Sequence, residues 1–296
     1  MISIVVSSYK EHFFQEFSQN VAETIGVPYE IIKIENQGKY GLCEAYNLGL
    51  SRATYDAVLF SHEDILFHTK NWGSGVIQQF EQNPSLGLMG LAGCAHKTNA
   101  PTPWYSDDGK QSKCLYYLNL TQSDYKGERP TTKTIVCPDN VTLGKVVTLD
   151  GCWLCTRKSV AEEIKFDQQT FTGYHCYDID FSLSVAEKYE VAVYFGIDVE
   201  HKSHGDYSLS WLEDTIKLYH KWKDKLPMQA KEIPEATLRK AEYVGMSQTF
   251  VRAKVYGYPK MEIYKIAFDK NFRKAIGLKR WLRLQGSFIK TLLRRT

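Results

Sequence analysis

Three groups of residues in this sequence combine side chains that bind cations or move protons. His62, Glu63 and Asp64 stand together in "VLFSHEDILF", Asp178 and Asp180 stand two apart in "YHCYDIDFSL", and His201 and His204 close the stretch "VEHKSHG". A hard divalent cation that bridges diphosphate oxygens needs one or two carboxylates and accepts an imidazole, with its other positions left for phosphate and water. Asp64 with His201 or His204 meets that need; the competing role for Glu63 and Asp64 is to cap a turn, and for the histidines to be surface loop residues. Asp178 and Asp180 fall at the predicted start of a helix, where free N–H groups and the dipole favour ionised carboxylates. Two positions apart on a helix they point about 200° away from each other, so at most one faces a shared cleft. A carboxylate there serves either as an N-cap or as general base for an incoming hydroxyl.

The elements around these groups must bring them to a surface. Unpaired charge is costly to bury, so the charged run inside an apolar stretch marks the point where a strand ends. The first ninety residues alternate. "ISIVVSSY" reads as a strand; "EHFFQEFSQNVAETIG" puts Phe13, Phe14, Phe17, Val21 and Ile25 on one helical face; "YEIIKIEN" is the next strand. "LCEAYNLGLSRA", "AVLFSHED", "WGSGVIQQFEQN" and "LGLMGLAG" continue as helix, strand, helix, strand. That order implies right-handed crossovers and a mostly parallel central sheet, an α/β fold of nucleotide-binding type, with ligands at the carboxyl ends of the strands. Ser7, Ser8 and Tyr9, then Glu35 and Asn36, then His62 to Asp64 occupy those ends and are expected to share one cleft.

Residues 94–145 read as a loop-rich insertion with one hairpin in "KCLYYLNL". Strand signals return in "KVVTLDGCWLCTR", followed by a short helix "KSVAEEI", a helix starting near Tyr177, and one long strand "VAVYFGIDVEHKSHG" that ends in the two histidines. From residue 207 onward the chain is helical.

Composition excludes several classes. With 43% hydrophobic and 24% charged residues the chain is an ordinary globular one. The start "MISIVVSSYKEHFF" has neither a basic n-region nor an apolar run long enough for a leader or a span, so a cytoplasmic location is expected. Seven cysteines form an odd, scattered set, which fits reduced thiols; "CWLC" at Cys152 and Cys155 has no second pair and reads as strand rather than as a zinc or redox motif. Residues 270–296 hold nine Lys or Arg and no acid, which leaves about −6 for the rest of a chain whose net charge is +3. In that tail Phe272, Ile276, Leu278, Trp281, Leu282, Phe288, Ile289, Leu292 and Leu293 interleave with basic residues at helical spacing, as in helices that lie on anionic bilayers; a partner-protein helix or a solvated terminus are the other options. Nucleic acid is not expected, because the aromatic residues follow helical spacing and no binding motif accompanies them.

The order "ISIVVSSY", "GLCEAYNLGLSRATYDAVLFSHED", "DGCWLCTRKSV", "FTGYHCYDIDFSL", "VEHKSHG" resembles glycosyltransferase family 2 and its relatives with the GT-A fold, in the bacterial subgroup whose acidic motif reads histidine, any residue, aspartate. The likeness spans about residues 1–206, a GT-A domain, and leaves 207–296 as a helical C-terminal extension with the basic tail. It implies that Asp64 matches the metal-binding aspartate, with His62 in place of the first carboxylate. It implies that His201, more than His204, completes the shell of a Mn²⁺ or Mg²⁺ ion, and that Asp178 matches the catalytic base. Asp150 and Gly151 resemble the loop under the donor sugar; Ser7, Tyr9, Glu35 and, on the helix beside the nucleotide, Asn47 are implied as donor-binding.

Trp104, Tyr105, Trp153 and Trp211 are candidates to stack an acceptor sugar, with core packing as the alternative, and Asp180 joins Trp104 and Trp153 on the acceptor side. The expected function is an inverting, metal-assisted glycosyltransferase that takes its sugar from a nucleoside-diphosphate donor, uridine-linked by analogy, and passes it to a glycan or lipid-linked hydroxyl, with peripheral docking at the inner face of a membrane through 270–296. The alternatives are a nucleotidyltransferase, which lacks its glycine-rich loop in "SSYKEHFF", and a non-catalytic nucleotide- or glycan-binding protein on the same fold.

Overall fold

The structure is a computed structural model that describes residues 1–105, 115–203, 205 and 207–293. The chain starts with β1 (Ile2–Ser8), α1 (Glu11–Thr24), β2 (Tyr29–Glu35), α2 (Leu42–Leu50) and β3 (Ala57–Ser61), the alternation that the hydrophobic periods require. It continues through β4 (Ile65–Phe67), α3 (Trp72–Gln82), β5 (Leu86–Gly90), β6 (Ala92–Cys94), β7 (His96–Lys97), β8 (Tyr116–Gln122), β9 (Thr132–Val136), β10 (Leu143–Val146), β11 (Thr148–Leu149) and β12 (Trp153–Arg157). Then follow α4 (Lys158–Ile164), α5 (Tyr177–Ala186), β13 (Glu190–Tyr194), β14 (Val199–His201), α6 (Leu209–Trp222), β15 (Met228–Gln229), α7 (Glu235–Val255), α8 (Lys260–Phe268), α9 (Lys270–Ile276) and α10 (Leu278–Leu293).

Seven strands form the central sheet in the order β10-β13-β5-β12-β3-β1-β2. It is mixed rather than mostly parallel. β2, β1 and β3 are parallel, as are β13 and β5, but β12 runs antiparallel to both β3 and β5, and β10 antiparallel to β13. Strand–helix alternation dictates direction only where a helix crosses between neighbouring strands, and β12 enters the sheet after a long excursion through β6 to β11. A second sheet has the order β11-β6-β8-β14-β4, with β9 paired to β8.

Three stretches that read as single strands are split between the sheets: β3 and β4 around residues 62–64, β5 and β6 at Leu91, and β13 and β14 across residues 195–198. The region after residue 94 is correspondingly less loop-like than expected. Residues 116–120 of "KCLYYLNL" lie in one strand, β8, which pairs with β6, β9 and β14.

Alternating side chains of the central sheet feed two cores. Val5, Val58, Phe60 and Leu154 pack with α2, α4 and α5 on one face, while Ile4, Val6, Leu59 and Cys155 pack with Phe17 and Val21 of α1 and Trp72 and Phe80 of α3 on the other. Both faces are buried, so the strands read as continuous apolar runs.

The division expected at residues 206 and 207 cuts before a shared helix. Leu218 and Trp222 of α6 join the core of the α/β body, whereas Trp211, Leu212, Ile216 and Tyr219 pack with α7 to α10. Several apolar residues of the basic tail are also spent inside this bundle. Phe272 and Ile276 are wholly buried, as are Leu284 and Phe288, and the Trp281 indole N–H donates to the Ala267 carbonyl at 2.9 Å. Leu278 and Leu282 stay exposed, at 62% and 57%. The side chains of Ile289, Leu292 and Leu293 lie outside the described residues. No helix among the described residues is long and apolar enough to cross a membrane.

Candidate active site

Because β1, β2 and β3 are parallel, Ser7, Asn36 and His62 emerge at one edge of the sheet. Each crossing of the chain between the sheets then adds a residue there. β12 begins opposite Ser61, and the His62 N–H donates to the Cys152 carbonyl at 3.0 Å, so Asp150 and Gly151 lie beside the histidine. β14 runs antiparallel to β4 with His201 opposite Ile65, and the Lys202 N–H donates to the Asp64 carbonyl at 2.9 Å. Residues 62–64 therefore form the turn between two sheets, which is why charge interrupts the apolar run.

The three residues of that turn face two ways. His62 Nδ1 lies 3.4 Å from His201 Nε2 and 3.9 Å from Asp64 Oδ1, and His201 Nε2 lies 3.4 Å from the same oxygen. The Ser203 hydroxyl is 3.1 Å from His201 Nε2. One ligand atom from each of His62, Asp64 and His201 lies within 4.8 Å of the others, so two imidazole nitrogens and one carboxylate oxygen can meet at one ion. Adjacent ligands on bonds of about 2.1 Å stand about 3.0 to 3.4 Å apart, which the two separations from His201 match while that between His62 and Asp64 is wider, and mixed nitrogen and oxygen donors suit Mn²⁺ or another first-row ion better than Mg²⁺. Burial opposes ionisation of Asp64, but the two histidines outweigh it and hold its carboxyl below the usual range. Burial likewise pulls His201 down, but Asp64 wins and raises it, whereas burial dominates at His62 and lowers it. His204 lies outside the described residues.

Glu63 points the other way. Its carboxylate accepts the Ser8 hydroxyl at 2.7 Å and the N–H groups of Tyr9 and Lys10 at 3.1 and 2.8 Å. It thus holds the β1–α1 turn, at a helix start that has no side-chain cap of its own.

Asp178 stands in the first turn of α5, behind Cys176 in a left-handed conformation (φ 62°) that swings the chain into the helix at the edge of the cleft. Its Oδ1 accepts the Ile179 N–H at 2.9 Å. Burial, aided by the charge of Asp150, pushes its carboxyl up to about 7. Asp180 points to the opposite side, as the helical angle requires, and accepts from Lys221 Nζ at 2.8 Å and Trp222 Nε1 at 2.7 Å.

These groups share a cleft of about 950 Å³, the size of a site for a nucleotide-sized ligand. Ser7, Tyr9, His62, Asp64, Trp104, Asp150, Gly151, Asp178 and His201 line it, together with Tyr105 and Trp211. Four expected site residues stand elsewhere. Glu35 faces solvent and pairs with Lys33 at 2.6 Å, its place at the strand end taken by Asn36, whose Nδ2 donates to Ser7 Oγ at 2.9 Å. Asn47 holds α2 to the following segment by donating to the Phe166 carbonyl and Gln168 Oε1. Trp153 is fully buried, so core packing is its role and sugar stacking is not. Asp180 is buried in its pairing with Lys221 and Trp222 and is not among the residues that line the cleft.

The wall also includes residues that carried no signal in sequence: Lys10, Tyr125, Arg129, Tyr174, His175 and Tyr177. Lys10 Nζ lies over the rings of Phe13 and Tyr125 at 5.0 and 4.7 Å, which joins the β8–β9 turn to the β1–α1 turn. Cys152 and Cys155 are buried, and burial raises both thiols far from the range of a ligand or nucleophile.

Among solved structures the chain is similar to GalNAc-T7 in complex with UDP, GalNAc and Mn²⁺, with a TM-score of 0.53 and 10% identity over 98% of this chain and 57% of that one. The chain thus spans little more than half the length of that protein, with which it shares the GT-A fold. It also aligns with S. aureus TarS bound to UDP-GlcNAc, at a TM-score of 0.46 and 11% identity over 98% of this chain and 80% of that one. No curated protein matches by sequence. A family model described as "Glycosyltransferase like family" matches residues 3–220, from the first strand through α6. That match takes in the sheet edge, both histidines of the cluster and the α5 carboxylate, and the chain belongs to this glycosyltransferase-like family.

Proposed function

We propose that the chain is an inverting glycosyltransferase that moves a sugar from a nucleoside-diphosphate donor to a hydroxyl of a glycan or lipid-linked acceptor. The observation that carries this reading is the convergence in one cleft of the His62, Asp64 and His201 cluster with Asp178, a carboxyl pushed up to about 7. His62, Asp64 and His201 would hold a divalent ion, which when bound offsets charge on the departing diphosphate. Asp178 takes the acceptor proton as the hydroxyl attacks, and a carboxyl that titrates near neutrality is matched to that task. A single base, with Asp180 turned away, suits one displacement with inversion. Ser7, Tyr9 and Asn36 offer the nucleoside end of the cleft, Asp150 and Gly151 the sugar, and Trp104, Tyr105 and Trp211 an aromatic wall for the acceptor.

Mn²⁺ and a uridine nucleotide are the first choices, supported by the donor set and by the ligands of the GalNAc-T7 structure. An acceptor held at an anionic membrane surface is supported by the nine basic residues of the tail and by exposed Leu278 and Leu282.

The test is thermal-shift screening against nucleoside diphosphates and their sugars with and without Mn²⁺, on the wild type and on Asp64→Asn. A ligand that binds the folded state raises the melting temperature. A uridine-specific shift that requires Mn²⁺ and is lost in Asp64→Asn is the expected result. No shift with any nucleotide would overturn the reading, and a shift without turnover, unchanged in Asp178→Asn, would replace it with a non-catalytic binding protein.

A further inference from the structure

We propose that Tyr177 is a positioning residue for the cation site: its buried hydroxyl accepts the Nε2–H of His62 and holds that ring in the tautomer that turns the Nδ1 lone pair towards Asp64 and His201. The inference rests on the reading of His62, Asp64 and His201 as a cation site.

A carboxylate offers lone pairs from both oxygens in either orientation. A neutral imidazole has one N–H and one lone pair, and it binds a cation only if the proton sits on the far nitrogen. In His62 the nitrogen that faces the cluster is Nδ1, 3.4 Å from His201 Nε2, and the far nitrogen, Nε2, lies 2.9 Å from the Tyr177 hydroxyl. A phenol hydroxyl can donate to Nε2 or accept from it; with the Nδ1 lone pair turned to a cation the proton stands on Nε2 and the hydroxyl accepts it, the arrangement of an outer partner to a metal-binding histidine.

The hydroxyl has little freedom to leave. Tyr177 is 5% exposed, and its ring packs edge-on to Tyr46 at 5.7 Å and beside Phe166 at 6.4 Å. It fills the space over Gly151, where an added Cβ would stand 2.0 Å from the hydroxyl oxygen and 2.4 Å from Cζ. Only glycine admits the tyrosine there. The requirement for Gly151 therefore comes from the tyrosine that steadies His62, besides any contact with a donor sugar. Tyr177 also directly precedes Asp178, so the first turn of α5 carries both the base and the group that orients a cation ligand. Any shift of that turn moves both together.

The experiment is long-range ¹⁵N–¹H NMR of the histidine rings in the metal-free protein, with Mn²⁺ titration followed by electron paramagnetic resonance, on the wild type and on Tyr177→Phe. His62 is expected to show the Nε2–H pattern in the wild type and a mixture of tautomers in Tyr177→Phe. The variant is expected to bind Mn²⁺ about 10- to 100-fold more weakly, the usual effect of losing an outer partner, while its melting temperature in metal-free buffer stays near that of the wild type. A merely structural tyrosine would move the melting temperature and leave the tautomer and the Mn²⁺ affinity alone. An Nδ1–H pattern in the wild type, which needs no variant to fold, or equal Mn²⁺ affinity in wild type and Tyr177→Phe, would overturn this inference alone. Absence of Mn²⁺ binding by the wild type would overturn the cation-site reading beneath it.

Discussion

Asp178 carries the sharpest consequence at the scale of single residues, because its proposed activity and its stability move in opposite directions with pH. Its folded pKa, about 7, stands above the ordinary carboxyl value, so the folded state holds a proton that the unfolded chain has already lost. Stability contributed by that proton is present below the unfolded value, near 3.8, and is lost as pH rises to about 7. The base, in contrast, works only when ionised. Turnover per unit of enzyme is therefore expected to climb through pH 7, and Asp178→Asn is expected to lower it about 10²- to 10⁴-fold while UDP still binds. A pH–rate profile on both proteins, paired with nucleotide thermal shifts, checks this. Full activity in the asparagine variant would remove Asp178 from its role. The pairing of residue types in "HED" and "YDID" was visible in the chain, but that Glu63 and Asp180 face away from the cluster was visible only in part. The helical angle separated Asp180 from Asp178, whereas no local rule says which way a residue in a turn between two sheets will point.

Glu63 belongs to the scale of elements, because it ties the β3–β4 turn to the start of α1. One carboxylate satisfies the Ser8 hydroxyl and the backbone N–H groups of Tyr9 and Lys10, the two residues that lead into the helix. Loss of these charge-assisted bonds in Glu63→Ala is expected to cost about 1 to 3 kcal/mol in chemical denaturation. If the β1–α1 turn shapes the nucleoside pocket, KM for the donor rises more than kcat falls. Unchanged stability together with unchanged donor KM would show that the turn holds itself. The helices α1 and α5 were legible from the apolar period, and α5 starts at Tyr177, where the sequence reading placed it. The breaks of β3 from β4 and of β13 from β14 were not, because a buried strand that changes sheets keeps the same apolar composition on both sides of the bend.

Two further expectations concern the whole molecule. Glu242 of α7 is buried against the α/β body and accepts the N–H groups of Asn99 and Ala100 at 2.8 and 3.2 Å, in the segment that leads to Trp104 and Tyr105. Burial pushes its carboxyl up to about 7, so its contribution to stability also falls as pH rises from about 4.5 to about 7. Melting temperatures measured from pH 5 to 8 are expected to decline along that window, with a shallower decline in Glu242→Gln; equal slopes would show that Glu242 does not titrate there. The second expectation concerns the bundle surface. Phe272 and Ile276 form part of the bundle core, so deletion of the tail would test folding rather than docking. Lys279 and Arg283 stand on its exposed side instead. The double variant Lys279→Glu, Arg283→Glu is expected to lose sedimentation with anionic liposomes while melting as the wild type does. Sedimentation that is equal in both, or absent from the wild type, would leave the basic tail without a lipid role.

The sequence by itself determined the strand–helix alternation of the first ninety residues, the carboxyl-end placement of Ser7 and His62, the start of α5 and the resemblance to a glycosyltransferase, because each depends on short-range periodicity or on motif order along the chain. Only the tertiary structure decided that β12 enters antiparallel and brings Asp150 and Gly151 to His62, that β4 and β14 pair so that His201 meets Asp64, and that Trp153 and, in the tail, Phe272, Ile276 and Phe288 are core. Those outcomes depend on which distant strands pair and which apolar faces find each other. Hydrophobic burial is non-directional, so the composition of a segment says that it will be covered and not by what.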